Sequence, residues 1–238
     1  HDDLRARCLS AIEGVEWIPT WGKTRIYSML SVRPDWCLSR QRSWGVPIPA
    51  FHCLSCSEVT VNADWVDQLA DLFSEHTSDI WYEWPIEKLL PEGAKCGACG
   101  GSELERDSDI LDVWFDSGVS FAATGHDGEA VDLYLEGSDQ HRGWFHTSLL
   151  ASVATRNKAP YKRVLTHGFV VDGKGLKLSK SKKNFTSVAD EIDKSGAELI
   201  RLWAASADYR EDIRVSDEIL KRSADSYRKL RNTLRFLL

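Results

Sequence analysis

Four of the six cysteines fall into two short pairs, Cys53-Leu-Ser-Cys56 and Cys96-Gly-Ala-Cys99, and this pattern restricts the fold more than any other feature of the chain. Two C-x-x-C turns bring four thiolates around one ion, and tetrahedral zinc suits such a set. The alternatives are an incidental pair or redox-active thiols. Residues 57–95 lie between the pairs, so this stretch must fold back on itself before the site can close. With sulfur in all four positions no open place is left for a catalytic water, and the zinc is expected to be structural. Gly97, Gly100 and Gly101 are expected to give the second turn its positive φ. Cys8 and Cys37 have no partner at ligand spacing and read as buried small hydrophobes.

The rest of the chain sets the frame around this insert. At 238 residues and 42% hydrophobic content it can bury one substantial core, with or without a small satellite. No stretch approaches the run of about 20 apolar residues that a membrane span needs, so a cytoplasmic location without a membrane partner is expected. A start at His1-Asp2-Asp3, without Met and inside a helical pattern, suggests a piece of something longer, and the far end gives the same impression. The net charge of -6 argues against wholesale wrapping of nucleic acid but leaves room for a local basic surface.

Helical spacing runs from Asp3 to Ile12, and Pro19 and Gly22 break it before the apolar segment Ile26 to Val32. The stretch WCLSRQRSWGVPIPAF, Trp36 to Phe51, should be extended because of its prolines and glycine. Inside the insert a helix is expected from Asp64 to Phe73, before a Trp-rich connector, WYEWP. Val131 to Leu135 and Arg163 to Val171 are β-prone and flank a helical stretch from Gly143 to Arg156. That order is the β-α-β unit of a parallel sheet, whose functional loops lie at the carboxyl ends of the strands. Ser187 to Ala207 and Ser216 to Leu238 read as helices, the second with Leu220, Tyr227, Leu230, Leu234 and Leu237 on one face. Its Lys221, Arg222, Arg228, Lys229, Arg231 and Arg235 suit either a phosphate backbone or plain solvent.

After the second β-prone run comes Gly173-Lys174-Gly175-Leu176-Lys177-Leu178-Ser179-Lys180-Ser181-Lys182-Lys183-Asn184, rich in glycine, lysine and hydroxyls. Such a loop suits polyphosphate, since flexible ammonium groups follow charge on a leaving pyrophosphate. A solvated surface loop has the same composition. The string KLSKS, Lys177 to Ser181, is similar to the KMSKS signature of class I aminoacyl-tRNA synthetases, with Leu178 a nearly volume-conserving change from Met. SRQRSWGVPIP (Ser39 to Pro49), DVWFDSG (Asp112 to Gly118) and EGSDQHRGWFHTSLL (Glu136 to Leu150) resemble the isoleucyl-tRNA synthetases, in the same order.

The resemblance implies an α/β fold: the second half of a class I synthetase Rossmann-type parallel sheet with a small zinc-binding insert and a helical carboxyl-terminal segment. Residues 1–51 would re-enter the catalytic domain, 52–107 form the zinc insert and 108–171 the second Rossmann half. Residues 172–190 would form the KMSKS-like loop and 191–238 a connector toward an anticodon-binding domain. The implied activity is ligation of isoleucine to tRNA(Ile), with magnesium-bound ATP as substrate. Lys177 and Lys180 would be catalytic, Lys180 on the ATP phosphates. Glu136, Gly137, Asp139 and Gln140 would bind the adenylate, His167, Gly168 and Phe169 lie near the adenine, and Leu178, Ser179 and Ser181 complete the ATP loop. Trp114 and Trp144 would wall the isoleucine side chain, and Cys53, Cys56, Cys96 and Cys99 would hold the zinc.

His141, Arg142 and His146 carry no assigned role, because amino-acid activation needs positioning more than a general base. Asp112 and Asp116 read as caps and turn formers rather than as a magnesium or glycosidase pair. The HIGH motif and an editing insert are not matched anywhere in the chain, so activity would depend on the remainder of the same polypeptide. Two rival readings are a zinc-ribbon module that binds RNA or protein, and a valyl or leucyl specificity.

Overall fold

The computed structural model describes residues 3–124, 128–178 and 187–238. The chain opens with α1 (Leu4–Glu13), β1 (Glu16–Ile18) and α2 (Trp21–Ser31), then passes through irregular chain holding β2 (Ser39–Arg40). The cysteine-bearing insert contributes β3 (Phe51–Cys53), β4 (Val59–Thr60), α3 (Ala63–His76), α4 (Ile80–Glu83), α5 (Ile86–Leu89) and β5 (Leu104–Arg106). The return runs through β6 (Ile110–Leu111), α6 (Val113–Gly118) and α7 (Ser120–Ala123) to β7 (Tyr134–Gly137). A 3-10 turn (Ser138–His141), α8 (Trp144–Arg156), β8 (Arg163–His167) and β9 (Val170–Asp172) follow. The last elements are α9 (Val188–Ser195), α10 (Ala197–Ser206), β10 (Ile213–Val215) and α11 (Asp217–Leu237).

The expected β-α-β unit is β7, α8 and β8, and β8 also pairs with β1 to give a parallel sheet in the order β1-β8-β7. At three residues, β1 is too short for an alternating pattern to announce it. α8 buries Phe145, His146, Thr147, Ser148 and Leu149 without a break, because it packs on α6 and α1 and shares a core with Tyr134 and Val164 of the sheet. Around it pack Cys8, Ile12, Trp17, Ile26, Leu30, Tyr134 and Val164, and the Tyr161 hydroxyl donates to the Phe145 carbonyl at 2.9 Å.

Several expected boundaries move. The strand expected at Val131 to Leu135 begins only at Tyr134, and Val131 makes just an isolated bridge to Tyr161. The run Arg163 to Val171 breaks at Gly168 and Phe169, because β9 leaves the sheet to pair with β10. The helix expected over Ser187 to Ala207 is split by Gly196 at φ +87°, which no helix accommodates. Gly22 does not interrupt anything. It lies inside α2 and is buried, where a Cβ would press on His141 Nε2 at 3.0 Å. Cys8 is buried as expected, and burial pushes its thiol up to about 11, but Cys37 is exposed. On α11 only Leu220 is buried, while Leu230, Leu234 and Leu237 face solvent.

The insert has its own core. β4-β3-β5 form a small antiparallel sheet, and Phe51, Trp65, Leu69, Ile80, Trp81 and Leu89 close over it. The Trp-rich connector is central here: Trp81 donates its indole N–H to the Asp107 carbonyl at 3.0 Å, and the Arg106 guanidinium donates to the Trp81 and Trp84 carbonyls. The neck that joins insert to sheet is the antiparallel pair β2–β6. Among the described residues no helix is long and apolar enough to cross a membrane.

Candidate functional site

Parallel strands present their carboxyl ends along one edge, where an open α/β sheet takes its ligands. β7 and β8 end level there, with Glu136 opposite Thr166 and Gly137 opposite His167. The Glu136 carboxylate accepts the Gly137 amide at 3.1 Å and lies 3.8 Å from His167 Nε2. The 3-10 turn then carries Asp139 and Gln140. Gln140 donates its amide to Asp139 Oδ2 at 3.3 Å and accepts the Trp144 amide at 2.9 Å, satisfying one of the free N–H groups that open α8. At Gly137 a Cβ would stand 2.9 Å from Asp139 Oδ1 and 3.3 Å from the Phe169 ring, so any side chain there would displace the Asp139 carboxylate.

Gly143 is tighter still. A Cβ there would meet Gln140 Oε1 at 2.6 Å and the Trp114 indole at 2.8 Å. The Trp114 ring therefore lies against this backbone, 44% exposed. Trp144, one residue on, is half-buried. It stacks on Tyr134 at 3.9 Å between ring centroids, and its N–H donates to Ser117 O at 3.0 Å and Ser120 Oγ at 3.1 Å. What it can offer a ligand is a fixed apolar surface, because its donor is already used.

His167 and Phe169 flank a crossing of two chain segments. The Gly168 amide donates to the Tyr209 carbonyl at 2.8 Å, and a Cβ at Gly168 would lie 2.2 Å from the Glu211 carbonyl oxygen. Phe169 donates its amide to Asp212 Oδ1 at 2.8 Å and accepts from the Ile213 amide at 2.8 Å. Asp212 gives no sign of this in sequence, because its partner lies across the crossing. Beyond β9 the chain turns back: Asp172 Oδ1 accepts the amides of Lys174 and Leu176, both at 2.9 Å, and Gly175 takes φ +82°. This brings Lys177 Nζ to 5.5 Å from the centre of the Phe169 ring. Leu178 is half-buried, and Ser179, Lys180 and Ser181 lie outside the described residues. The structure thus gathers Glu136, Gly137, Asp139, Gln140, His167, Gly168, Phe169 and Lys177 at one edge of the sheet, with Trp114 beside the same turn.

The four cysteines form a second centre, inside the insert. Their sulfurs all lie within 4.8 Å of one another, with Cys53–Cys99 at 3.6 Å and Cys56–Cys96 at 3.7 Å. A tetrahedron of thiolates at a metal–sulfur length of about 2.3 Å has edges of about 3.8 Å, so the set fits a metal ion. Both turns have one design. The fourth residue after the first cysteine has positive φ, Ser57 at +62° and Gly100 at +74°, and its amide returns to that cysteine's carbonyl at 2.8 and 2.9 Å.

The glycines of the second turn therefore have separate reasons. Gly97 has neither positive φ nor a close neighbour, while at Gly101 a Cβ would press on Ser55 Oγ at 3.0 Å and Cys99 Sγ at 3.3 Å. Burial opposes ionisation of Cys53, but the amides of Cys56 and Ser55 and the Cys99 and Cys56 thiols outweigh it and bring Cys53 down to about 6. At Cys56 the Glu58 amide favours the thiolate, yet hydrogen bonds with the other three thiols and burial push it up to about 12.

Residues 1–216 match the family described as tRNA synthetases class I (I, L, M and V). The isoleucine–tRNA ligase of Nitratidesulfovibrio vulgaris (strain DSM 19637 / Miyazaki F) is 57% identical over 244 residues, covering 100% of this chain and 26% of that protein. The isoleucine–tRNA ligase of Syntrophotalea carbinolica is 56% identical over 239 residues, covering 99% of this chain and 26% of its own length. Among solved structures, a ternary complex of LeuRS from Agrobacterium radiobacter K84 with tRNA and LeuAMS superposes with a TM-score of 0.61 at 25% identity, over 83% of this chain and 27% of that one. Methionyl-tRNA synthetase of Mycobacterium tuberculosis bound by methionyl-adenylate shares the fold, at a TM-score of 0.56 and 17% identity, over 94% of this chain and 35% of that one. The chain spans about a quarter of the length of the curated relatives it matches.

Proposed function

The chain belongs to the class I tRNA synthetases, and from that premise we propose that it is the part of an isoleucine–tRNA ligase that holds the aminoacyl-adenylate. The observation that carries this reading is the convergence of the Glu136–Gln140 turn and the His167–Phe169 crossing at the carboxyl edge of the parallel sheet. A module that only binds RNA or protein through its cysteine turns would leave that edge without a purpose.

In the reaction, an oxygen of the isoleucine carboxylate bonds to the α-phosphorus of magnesium-bound ATP. The bond from that phosphorus to its bridging oxygen breaks, and pyrophosphate leaves. A ribose hydroxyl of the terminal adenosine of tRNA(Ile) then bonds to the isoleucyl carbonyl carbon, the bond from that carbon to the phosphate oxygen breaks, and AMP leaves. Glu136 and Asp139 are acceptors for the ammonium and ribose hydroxyls of the adenylate, Gly137 lets it approach the backbone, and Gln140 fixes the turn. His167, Gly168 and Phe169 form the adenine side. Trp114 and Trp144 give flat walls for a branched aliphatic chain. Lys177 and Lys180, with Leu178, Ser179 and Ser181, serve the phosphates, where positive charge meets the developing pyrophosphate.

Cys53, Cys56, Cys96 and Cys99 hold zinc, which closes the insert of residues 52–107 and takes no part in the chemistry. Residues 108–171 act as the second Rossmann half, 172–190 as the ATP loop and 191–238 as the connector, working in the cytoplasm with the remainder of a longer polypeptide.

The test is a thermal-shift titration, with zinc present, against non-hydrolysable isoleucyl-, valyl- and leucyl-adenylate analogues. The isoleucyl analogue should give the largest shift, and Glu136→Ala and Lys180→Ala should each remove it. A largest shift with the valyl or leucyl analogue overturns the specificity. No shift with any, in this chain or in the complete polypeptide, overturns the reading.

A further inference from the structure

The adenylate reading leaves the buried carboxylate of Asp112 unused. Asp112 is only 5% exposed and follows β6, where the chain re-enters from the cysteine-bearing insert. Its Oδ2 accepts the Trp36 indole N–H at 2.9 Å and the Arg40 guanidinium at 2.5 Å. Its Oδ1 accepts the Trp114 amide at 3.1 Å and so caps α6. The backbone reinforces the junction, for the Asp112 amide donates to the Leu38 carbonyl and the Leu111 amide to the Val46 carbonyl, both at 2.7 Å. Arg40 is held in turn by the carbonyls of Cys37 and Ser39, each at 2.7 Å. One carboxylate thus touches the strand leaving for the insert and the residue whose indole lies against Gly143.

We propose that Asp112 is a positioning residue for the amino-acid side-chain subsite: by clamping the neck of the insert to α6, it fixes the Trp114 indole against the turn at Gly143. The inference rests on the adenylate reading and deepens it. A buried carboxylate with charge-assisted donors is strongly oriented, and removing its charge leaves those donors with a poorer acceptor. α6 is short, so little besides this cap and the packing of α8 sets its direction. When the clamp loosens, the indole loses its place while the Glu136–Gln140 turn, held by its own bonds, keeps its own. The consequence must therefore depend on the ligand's side chain, which general destabilisation does not.

The experiment compares isoleucyl- and alanyl-adenylate analogues, which share every group except the branched chain that reaches the wall. Asp112→Asn keeps the size and one oxygen for the cap but loses the charge. It is expected to weaken the isoleucyl analogue about tenfold, roughly 1.4 kcal/mol, and to change the alanyl analogue less than about twofold. Arg40→Gln breaks the clamp from the partly exposed side and should reproduce the pattern. The double variant should be no weaker than either single one, because both remove the same contact. If Asp112→Asn does not fold, Arg40→Gln decides alone. Equal losses for both analogues, or undiminished isoleucyl binding, overturn the proposal. Failure of the unaltered chain to bind either analogue overturns the adenylate reading itself.

Discussion

His146 makes the stability of the main core depend on pH in a calculable way. It is 1% exposed on α8, and neither ring nitrogen has a hydrogen-bond partner among the described residues. Burial first, then the positive charges of Arg33 and Arg142, push its pKa down to about 4, although the His141 backbone nearby pulls the other way. An unfolded chain restores the ordinary value of about 6.5. As pH falls through 6.5 the unfolded state takes up a proton that the native state refuses, so stability is lost between about pH 6.5 and about pH 4. At about 1.4 kcal/mol per pH unit, this residue alone removes roughly 2 kcal/mol between pH 7 and pH 5. His141, fully buried and also lowered chiefly by burial, acts in the same direction. Urea unfolding at pH 7 and pH 5, followed by circular dichroism, measures this in the unaltered chain and in His146→Leu, which has no proton to bind. The variant should gain on the unaltered chain by roughly 2 kcal/mol at the lower pH. A difference that stays constant within about 0.5 kcal/mol would show that the imidazole is hydrated or already protonated, and the reasoning from burial would fail.

Metal content is the simplest companion test: the purified chain should carry one zinc per molecule, and Cys96→Ser should release it and expose the insert's amides to hydrogen exchange while α8 stays protected. In the second cysteine turn, Gly97→Ala should be nearly neutral whereas Gly100→Ala, forced to φ +74°, should lower stability by about 1 kcal/mol, as thermal unfolding would report. Gly168→Ala drives a methyl into the Glu211 backbone and should cost about 1–3 kcal/mol; an unchanged melting temperature would mean that the crossing has slack.

The parts of the fold that could be read from the sequence are those whose information is local. The β7-α8-β8 unit, α3 and both cysteine turns follow from periodicity and spacing within a few positions. What escaped is set by partners far along the chain. β1 is a strand because its neighbour Arg163–His167 supplies the ladder, and Gly168 breaks the long β-prone run because Glu211 passes beneath it. Gly22 looked like a helix breaker and is instead the place where α2 approaches His141, which a glycine's sequence neighbours do not encode. Ser57 shows the converse, since no glycine marks the first cysteine turn and the Cys53 carbonyl holds a serine at positive φ there. The edge of the sheet follows the same rule. Glu136 and Asp139 are conspicuous as acids at a strand end, but the reason Trp114 lies against the turn at Gly143 is a carboxylate shared with Trp36 and Arg40 across the neck of the insert. Local pattern therefore shows which groups stand at the strand ends, and long-range packing decides how firmly they are held, which is why substitutions at Asp112 and Arg40 test the proposed site more sharply than substitutions in its conspicuous strings.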